Sequence, residues 1–370
     1  MPSYKIAFII TGLGMGGAEN QVCALADKLS QHNDVIIISL SDEKNILIRP
    51  KNKKIKIISL GMNKTPWSFI HALLTAKRVI KEHKIDILHG HMFHANIFSR
   101  ILRFFYREPI LITTAHNSNE GGKIRMLIYK LTDSLSTIST NVSQEAVSSF
   151  VTKGAVNANR MITMYNGIDT STFSYSEFFR INKRKTLSIP EDTPLLLSVG
   201  RLTEAKDYPN LLNAFSSINN SYLPHLIIIG DGENKSDLII LAKKLNIEDR
   251  VHWLGIRNDV HEWMSACDIF VLSSAWEGFG LVLAEAMSCQ RVVIGTNCGG
   301  VKEVINNYGF LVSPRSTLEL TINLEKALNL SHTEKTKIGI NARNHIEKNF
   351  SIDSIVNKWM NLYSSLLKNK

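Results

Sequence analysis

The chain has 370 residues, of which 44% are hydrophobic, and its mean hydropathy of −0.02 is typical of a globular protein. This length exceeds what one hydrophobic core usually supports, so we expect two domains. The longest apolar runs have the length of strands, which excludes a spanning helix, and the one near the N-terminus is too short for a signal peptide. The four cysteines have no metal-ligand spacing, and we expect reduced thiols in a cytoplasmic protein.

The net charge of +10 is unevenly distributed. Residues 1–180 contain 22 Lys and Arg against 13 Asp and Glu, whereas residues 181–370 contain 21 against 20. The excess clusters in residues 51–59, 77–84 and 100–107, and the last of these, RILRFFYR, mixes arginines with aromatic residues and leucine. This pattern suits an anionic membrane surface. A solvated surface is the ordinary alternative, and nucleic acid is a third, without an accompanying motif.

The first half of the chain alternates apolar strands with helical stretches. The strand KIAFII (5–10) leads into a glycine-rich turn (11–19), a helix (20–31) and a second strand (34–40), which is the start of a parallel doubly wound sheet. A long helix is predicted over residues 66–84. Further strands are predicted at residues 54–60, 86–91, 110–116, 136–140 and 161–167.

Residues 171–193 are polar, aromatic and irregular, and we interpret them as a linker between domains 1–170 and 194–350. After this segment the alternation restarts, which predicts a second parallel sheet with helices on both faces. Its predicted strands are residues 194–200, 225–232, 251–255, 268–274 and 291–297, and its predicted helices are residues 208–218, residues 235–246 and a helix from near Gly280. Residues 351–370 form an amphipathic helix, which we expect to pack back on the N-terminal domain.

The N-terminal glycine turn, from Gly12 to Gly17, satisfies the pattern GxGxxG. Such a turn lets backbone amides approach phosphate oxygens at a helix N-terminus. A nicotinamide dehydrogenase would use the same turn, with Asp42 or Glu43 after the second strand, but that reading leaves the second nucleotide-type domain unexplained.

Two cations follow the first strand of the second domain. Arg201 and Lys206 lie on one loop at the carboxyl edge of the predicted sheet, where a forked donor and a point charge together suit a diphosphate. A pair of surface charges is the alternative.

Two glutamates surround the glycines of the motif EGFGLVLAE. Glu277 precedes Gly278-Phe279-Gly280, and Glu285 lies eight residues later in the predicted helix, a little over two turns away. Bare glycines leave the helix N-terminus free for an anion, and a buried carboxylate accepts hydrogen bonds from the two adjacent hydroxyls of a ribose. A core glutamate paired with a basic residue is the alternative for Glu285.

The motif resembles the E-x7-E motif of the retaining GT-B glycosyltransferases of family 4. The other stretches that carry the resemblance, in the same order, are GMGGAE, NGID, VGRLTEAK, IIIGDG, LGIRNDV and NCGGVKEVI, so that it covers nearly the whole chain. It implies an α/β GT-B fold, in which two doubly wound Rossmann-like domains face each other across a cleft. The N-terminal domain would bind the acceptor and the C-terminal domain a nucleotide sugar.

The resemblance also implies residue roles. Glu285 would hold the ribose hydroxyls, while Arg201 and Lys206 would neutralise the diphosphate. The remaining donor-binding residues would be the glycine loop at Gly16 and Gly17, the amides of Gly280 and Leu281, Phe279 of the motif, Glu277 beside the sugar and Arg257 at the base.

His116, at the end of a strand of the first domain, matches the histidine that the family places close to the transferred sugar. The motif HGHMFH offers a competing cluster, in which we rank His91 second and give His89 and His94 structural roles. The spacing of these histidines could suggest a metal site, but the fold class handles the diphosphate with cations and helix dipoles, so we expect neither a metal nor another cofactor.

The implied reaction is retaining transfer of a hexose or N-acetylhexosamine to a lipid-linked or saccharide acceptor, in O-antigen or capsule synthesis. UDP is favoured over GDP as the carrier from its frequency in the family, and the basic first half suits the inner face of the membrane. The departing phosphate would take the acceptor proton, without an enzymic nucleophile. A sugar-nucleotide epimerase, a nicotinamide dehydrogenase and a non-catalytic sensor stay open as alternatives.

Overall fold

The computed structural model describes residues 3–118, 120–219 and 223–368. The chain divides into two compact units, of which the first comprises the residues up to Gly167 together with those from Ile352 onward. The second unit is Ile168–Ser351. The division falls close to the expected boundary at residue 170, but the expected linker, residues 171–193, lies within the second unit.

The first unit contains a parallel sheet in the order β3-β2-β1-β4-β5-β6-β7. Its strands are β1 (Lys5–Ile10), β2 (Asp34–Ser39), β3 (Lys56–Ser59), β4 (Ile87–His91), β5 (Ile110–Ala115), β6 (Ile138–Asn141) and β7 (Met161–Thr163). The helices between them are α1 (Gly17–Leu29), α2 (Pro66–Glu82), α3 (Phe93–Phe105), α4 (Gly122–Thr132) and α5 (Gln144–Thr152). Because α1 packs into one core cluster and α2 and α3 into another, both faces of the sheet are covered, which explains the almost continuous apolar runs of its central strands.

The second unit repeats this architecture with a sheet in the order β10-β9-β8-β11-β12-β13. Its strands are β8 (Leu195–Val199), β9 (His225–Ile229), β10 (Val251–Gly255), β11 (Ile269–Leu272), β12 (Val292–Thr296) and β13 (Phe310–Val312). Its helices are α6 (Glu177–Thr186), α7 (Tyr208–Ser216), α8 (Lys235–Lys244), α9 (Val260–Ala266), α10 (Leu281–Ser288), α11 (Val301–Ile305), α12 (Thr317–Asn329) and α13 (His332–Phe350). The two parallel Rossmann-like sheets confirm the expected α/β fold class.

The linker prediction is wrong because α6 is an integral helix of the second unit. Ser176 caps it by accepting from the amide of Phe179, and the helix packs against α9. Arg184 is buried, and both Arg180 and Arg184 pair with Asp268 at 2.8 and 2.6 Å. Charged side chains fix this helix, so its sequence lacks the apolar stripe that normally indicates burial.

The last helix, α14 (Ile352–Lys368), belongs to the first unit, where the sequence places it. It packs against α1 and buries Trp359 and Tyr363 in the core cluster of that face. The hydroxyl of Tyr363 lies 2.8 Å from Nδ1 of His89 on β4. The terminal helix therefore reaches the strand that carries the HGHMFH motif.

The basic cluster at residues 100–107 is only partly a surface feature. The guanidinium of Arg100 is fully buried and lies 3.6 Å from a carboxylate oxygen of Asp133. It donates further hydrogen bonds to Thr113 and Ser139 of the sheet. Arg100 therefore stabilises the core and is not available to a membrane, whereas Phe104 and Phe105 at the end of α3 are exposed.

Candidate functional site

The carboxyl ends of β8, β9, β11 and β12 carry the loops of the second unit in which the site was predicted. Glycines let these loops touch. Gly230 has φ +141°, and a Cβ there would lie 2.0 Å from the carbonyl oxygen of Gly200. Gly299 has φ +57°, and a Cβ there would lie 2.0 Å from the carbonyl oxygen of Glu277. The motifs VGRLTEAK and IIIGDG are thus in contact, as are EGFG and NCGG, and no side chain fits between them.

Lys206 and Glu277, which the sequence assigned to the diphosphate and the sugar, are paired with each other. Nζ of Lys206 lies 2.5 Å from Oε2 of Glu277, and the hydroxyl of Ser274 donates to the same oxygen at 3.1 Å. The lysine chain crosses Gly200, where a Cβ would lie 3.2 Å from its Cε. Both charged groups are largely shielded from solvent, with 20% and 17% of their side chains exposed.

Arg201 begins the same loop directly after Gly200 and is exposed. Its guanidinium has no carboxylate partner among the residues that the structure describes. One free cation therefore stands on the loop beside a second cation whose charge is balanced by Glu277. An incoming anion can therefore pair with Arg201 directly, whereas it must displace Glu277 to pair with Lys206.

Gly280 starts the helix that carries Glu285. Its φ of +86° is a left-handed conformation that glycine adopts without strain, and no side chain caps the N-terminus of α10. The amides of the first turn, beginning at Leu281, are the ones that a helix leaves without internal partners. The anion position that the sequence predicts at this end of α10 stays a prediction.

The Glu285 carboxylate has no hydrogen-bond or ion-pair partner in the described part of the chain. Burial raises the pKa of Glu285 to about 7, since desolvation disfavours the charged form. The alternative reading of Glu285 as one half of a core ion pair is therefore wrong. A carboxyl kept in this state, on a helix whose N-terminus carries no side-chain cap, is poised to accept hydrogen bonds from a ligand.

Two of the expected donor-binding side chains are engaged elsewhere. The ring of Phe279 is buried, 5.6 Å from the ring of Phe350, so only its backbone remains to line a site. Arg257 forms a two-pronged ion pair with Asp259, at 2.8 and 2.7 Å. A role for Arg257 at the base would require this pair to open.

The glycine loop of the first unit ends in the extended residue Gly16, and α1 begins at Gly17. Glu19 folds back over this turn, since a Cβ on Gly16 would lie 2.4 Å from its carboxylate oxygen. An acid already occupies the helix N-terminus that the pattern GxGxxG assigns to phosphate. The pattern does not reveal this occupation, although Glu19 at the third helical position is a common capping residue.

Three histidines of the first unit, His89, His91 and His116, form a stack along β4 and just after β5. The rings of His89 and His91 are 4.1 Å apart, and Nδ1 of His91 lies 3.2 Å from Nε2 of His116. Burial lowers the pKa of His116 to about 4 and that of His89 to about 3, so both are neutral at pH 7. Nε2 of His91 is buried without a partner among the described residues. His94 lies on α3, is exposed and is not part of this stack.

Glu120 positions the candidate residue His116, and the sequence did not indicate this contact. Its carboxylate accepts from the amide of His116 at 2.9 Å and from the hydroxyl of Tyr129 at 2.5 Å. It thereby ties the strand end that bears His116 to α4. Glu120 stands just before a glycine pair, GG at 121–122. An acid between a polar turn and a helix start is the sequence feature that could have indicated this residue.

We find no helix in the described ranges that combines the length and apolar character needed to cross a bilayer. Those ranges also contain no group of three or more His, Cys, Asp or Glu side chains arranged to hold a metal ion.

Comparison with known proteins identifies the family. The model described as Glycosyltransferase Family 4 matches residues 15–172, and the one described as Glycosyl transferases group 1 matches residues 179–345. N-acetyl-alpha-D-glucosaminyl L-malate synthase of Bacillus anthracis is 29% identical over 303 residues, which are 78% of this chain and 77% of that protein. UDP-Gal:alpha-D-GlcNAc-diphosphoundecaprenol alpha-1,3-galactosyltransferase of Escherichia coli is 27% identical over 318 residues, 81% of this chain and 80% of that protein.

A similar fold occurs in a solved structure. Anabaena HepE in complex with UDP-glucose matches 98% of this chain and 100% of its own, with a TM-score of 0.85 and 23% identity. At this identity the likeness establishes the fold alone. Together with the two family models, which cover most of the chain, it confirms the resemblance found in the sequence. The chain belongs to the glycosyltransferases described as Family 4 and group 1, with the GT-B fold.

Proposed function

We propose that this enzyme transfers a hexose or N-acetylhexosamine from a UDP-sugar to a lipid-linked acceptor in the synthesis of a surface polysaccharide such as O-antigen or capsule. The proposal of a sugar-nucleotide donor rests on one observation, the unpartnered carboxyl of Glu285 on the helix that Gly280 starts. The choice of UDP rests on the names of the Escherichia coli relative and the Anabaena complex.

The donor site proposed in the second unit uses three kinds of group. Glu285 accepts hydrogen bonds from the ribose hydroxyls, which compensates the carboxylate for its desolvation. Arg201, Lys206 and the N-terminus of α10 balance the diphosphate charge. Because these groups already supply positive charge, we propose that the reaction proceeds without a metal ion. Activity that survives chelation by EDTA would support this.

In the proposed reaction Lys206 and Glu277 separate, and each stabilises one of the charges that develop. As the sugar leaves, negative charge grows on the β-phosphate oxygen, and Lys206 stabilises it. Glu277, released from the lysine, is then available to the positive charge that develops on the sugar. In the proposed retaining reaction the departing phosphate oxygen takes the acceptor proton, and the acceptor oxygen bonds to the anomeric carbon on the same face. We keep neutral His116 as a contact of the transferred sugar.

The names of the relatives cover different acceptors. The Bacillus anthracis relative is named for L-malate and the Escherichia coli relative for a diphosphoundecaprenol lipid. We favour the lipid-linked class because of the basic, partly apolar surface of the first unit. The enzyme would then act at the inner face of the cell membrane.

A thermal-shift panel of UDP-, GDP- and ADP-sugars tests the donor proposal. We expect stabilisation by UDP-sugars in the wild type and its loss in Glu285→Gln, with Glu319→Gln as the matched control on an exposed helix start. Stabilisation that is equal in both variants would contradict the assignment. Incubation of the donor alone distinguishes the alternatives, because an epimerase would convert it without an acceptor.

A further inference from the structure

Helix α2 of the first unit exposes an apolar stripe. Trp67, Ile70 and Leu74 are all exposed, with 81% of Trp67 accessible. Their spacing of i, i+3 and i+7 places them on one side of the helix. The buried residues of α2, which hold it to the sheet, lie on the other side: Ala72, Ala76, Val79 and Ile80. The stripe therefore faces away from the sheet and is not part of the hydrophobic core.

Helix α4 repeats this arrangement. Ile124, Leu127 and Leu131 follow the same spacing and are exposed, with 76% and 72% of the first and last accessible. Met126 and Tyr129 are its buried residues. Isolated exposed apolar residues need no explanation, but two helices with the same outward pattern do.

Helix α3 lies between these two helices and packs against both. Phe98 contacts Phe69 of α2 with ring centroids 5.7 Å apart, and Phe93 contacts Tyr129 of α4 at 5.4 Å. Arg125 of α4 also lies over the ring of Phe93 at the start of α3, 4.6 Å from its centroid. The two stripes thus belong to one helical layer, and we call Trp67, Ile70, Leu74, Ile124, Leu127 and Leu131 the outer face.

Positive charge surrounds the outer face. Arg78 and Lys81 continue the line of the α2 stripe by one and two turns, and Lys123 and Lys130 flank the α4 stripe; all four are exposed. Among the residues of these two helices, Glu82 is the single acid. An apolar stripe bordered by lysine and arginine matches the interface of an anionic bilayer, in which apolar groups enter the acyl boundary and cations remain among the headgroups.

We propose that the outer face docks the first unit on an anionic lipid bilayer. The positive charge favours an anionic bilayer over a second copy of the chain as the partner, because the cations of two outer faces brought together would repel each other. The proposal rests on the proposed function only for the acceptor: a lipid-linked acceptor would be presented at the surface that the enzyme contacts. Glu120 supports this link, since it joins Tyr129 of docked α4 to the amide of His116.

Vesicle co-sedimentation tests the proposal, with full-length protein and vesicles of phosphatidylglycerol and phosphatidylcholine or of phosphatidylcholine alone. We expect binding to the anionic vesicles that falls at least about tenfold in the double variants Trp67→Ser/Leu74→Ser and Ile124→Ser/Leu131→Ser. The matched control is Ile240→Ser/Leu318→Ser, which removes two exposed apolar residues from helices of the second unit. The charge variant Arg78→Glu/Lys130→Glu should lose binding in low salt.

Insertion has its own readout, because Trp67 is accessible to lipid. We expect brominated acyl chains to quench the tryptophan emission of the wild type and not that of Trp67→Phe. Equal binding by outer-face and control variants, or a concentration-dependent dimer abolished by the outer-face substitutions, would overturn the proposal. Stabilisation by UDP-sugar, measured on the same variants without lipid, should stay at the wild-type level. Its absence in the wild type would count against the proposed donor and leave the docking result standing.

Discussion

Lys206 and Glu277, 71 residues apart in the chain, form an ion pair in which Nζ lies 2.5 Å from Oε2. Each residue was assigned to a different part of the donor from the sequence. The pair means that a bound diphosphate must compete with Glu277 for the lysine. The loops that hold the two residues are kept in place by close contacts at Gly200 and Gly299.

The two members of this pair should respond oppositely when each is removed. Lys206→Ala should weaken UDP binding and lower kcat by about 10²–10³, because the charge on the leaving phosphate loses its cation. Glu277→Ala should instead bind UDP more tightly, since Lys206 no longer has an internal partner, while turnover falls. Calorimetry and initial rates measure both, with exposed Lys243→Ala as the control. Weaker UDP binding in Glu277→Ala would contradict a competition between Glu277 and the diphosphate for Lys206.

The affinity for a sugar nucleotide should depend on the protonation of Glu285. Its raised pKa of about 7 leaves much of the carboxyl neutral in the free enzyme at pH 6. Ribose hydroxyls donate to the ionised form, so affinity should rise tenfold per pH unit below about pH 7 and level off above it. A sugar nucleotide has no phosphate proton to lose in this range. Titration calorimetry in two buffers should show proton release, and Glu285→Gln should abolish the slope.

Glu285 should also cost stability at high pH. Its pKa in the folded protein is raised above the unfolded value, so the folded state holds the proton more tightly and loses stability as pH rises from about 4.5 to about 7. The shift corresponds to roughly 3 kcal/mol. Glu285→Gln should therefore stabilise the ligand-free protein at pH 8 and leave it nearly unchanged at pH 4.5. Denaturant melts at the two pH values measure this, and an equal effect at both would argue against a desolvated carboxyl.

The histidine stack should make the first unit sensitive to acid. The pKa values of His89 and His116 are lowered by burial to about 3 and about 4. The unfolded chain takes up protons first, so stability is present above about pH 6.5 and is lost as pH falls toward 4. Hydrogen exchange of peptides from β4 and β5 should accelerate over this window, and His116→Asn should reduce the effect. An unchanged pH slope in that variant would mean that other groups cause it.

The central strands of both sheets were predictable because buried parallel strands require continuous apolar runs, as in KIAFII and DVIIISL. Helix α6 was not, since Arg180 and Arg184 hold it through Asp268 and such charged residues normally indicate a surface. For the same reason the burial of Arg100 was not predicted, and its stretch was interpreted as facing a membrane. The short strand β13 was also missed.

The motif EGFGLVLAE located the two glutamates but did not separate ligand contacts from packing. Sequence proximity to Glu277 made Phe279 a candidate, although its ring is buried against Phe350. The pairing of Lys206 with Glu277 and the solitary state of Glu285 depend on tertiary contacts. No spacing along the chain specifies them.

The contact between VGRLTEAK and IIIGDG should be intolerant of a methyl group. A Cβ at Gly230 would lie 2.0 Å from a backbone oxygen, in a conformation that side chains rarely adopt. We expect Gly230→Ala to destabilise the second unit by about 2 kcal/mol or more and to weaken UDP binding. Gly14→Ala is the control, because a Cβ there meets no atom within 4 Å. If Gly230→Ala binds UDP as the wild type does, the loops do not set the position of the cations.

A crystal structure with a bound UDP-sugar would show directly whether the second unit holds the donor through Glu285. We expect the ribose hydroxyls within hydrogen-bond distance of Glu285, and the diphosphate at the N-terminus of α10 near Arg201 and Lys206. A nucleotide bound to the first unit alone, or Glu285 without a ligand contact in the complex, would contradict this assignment.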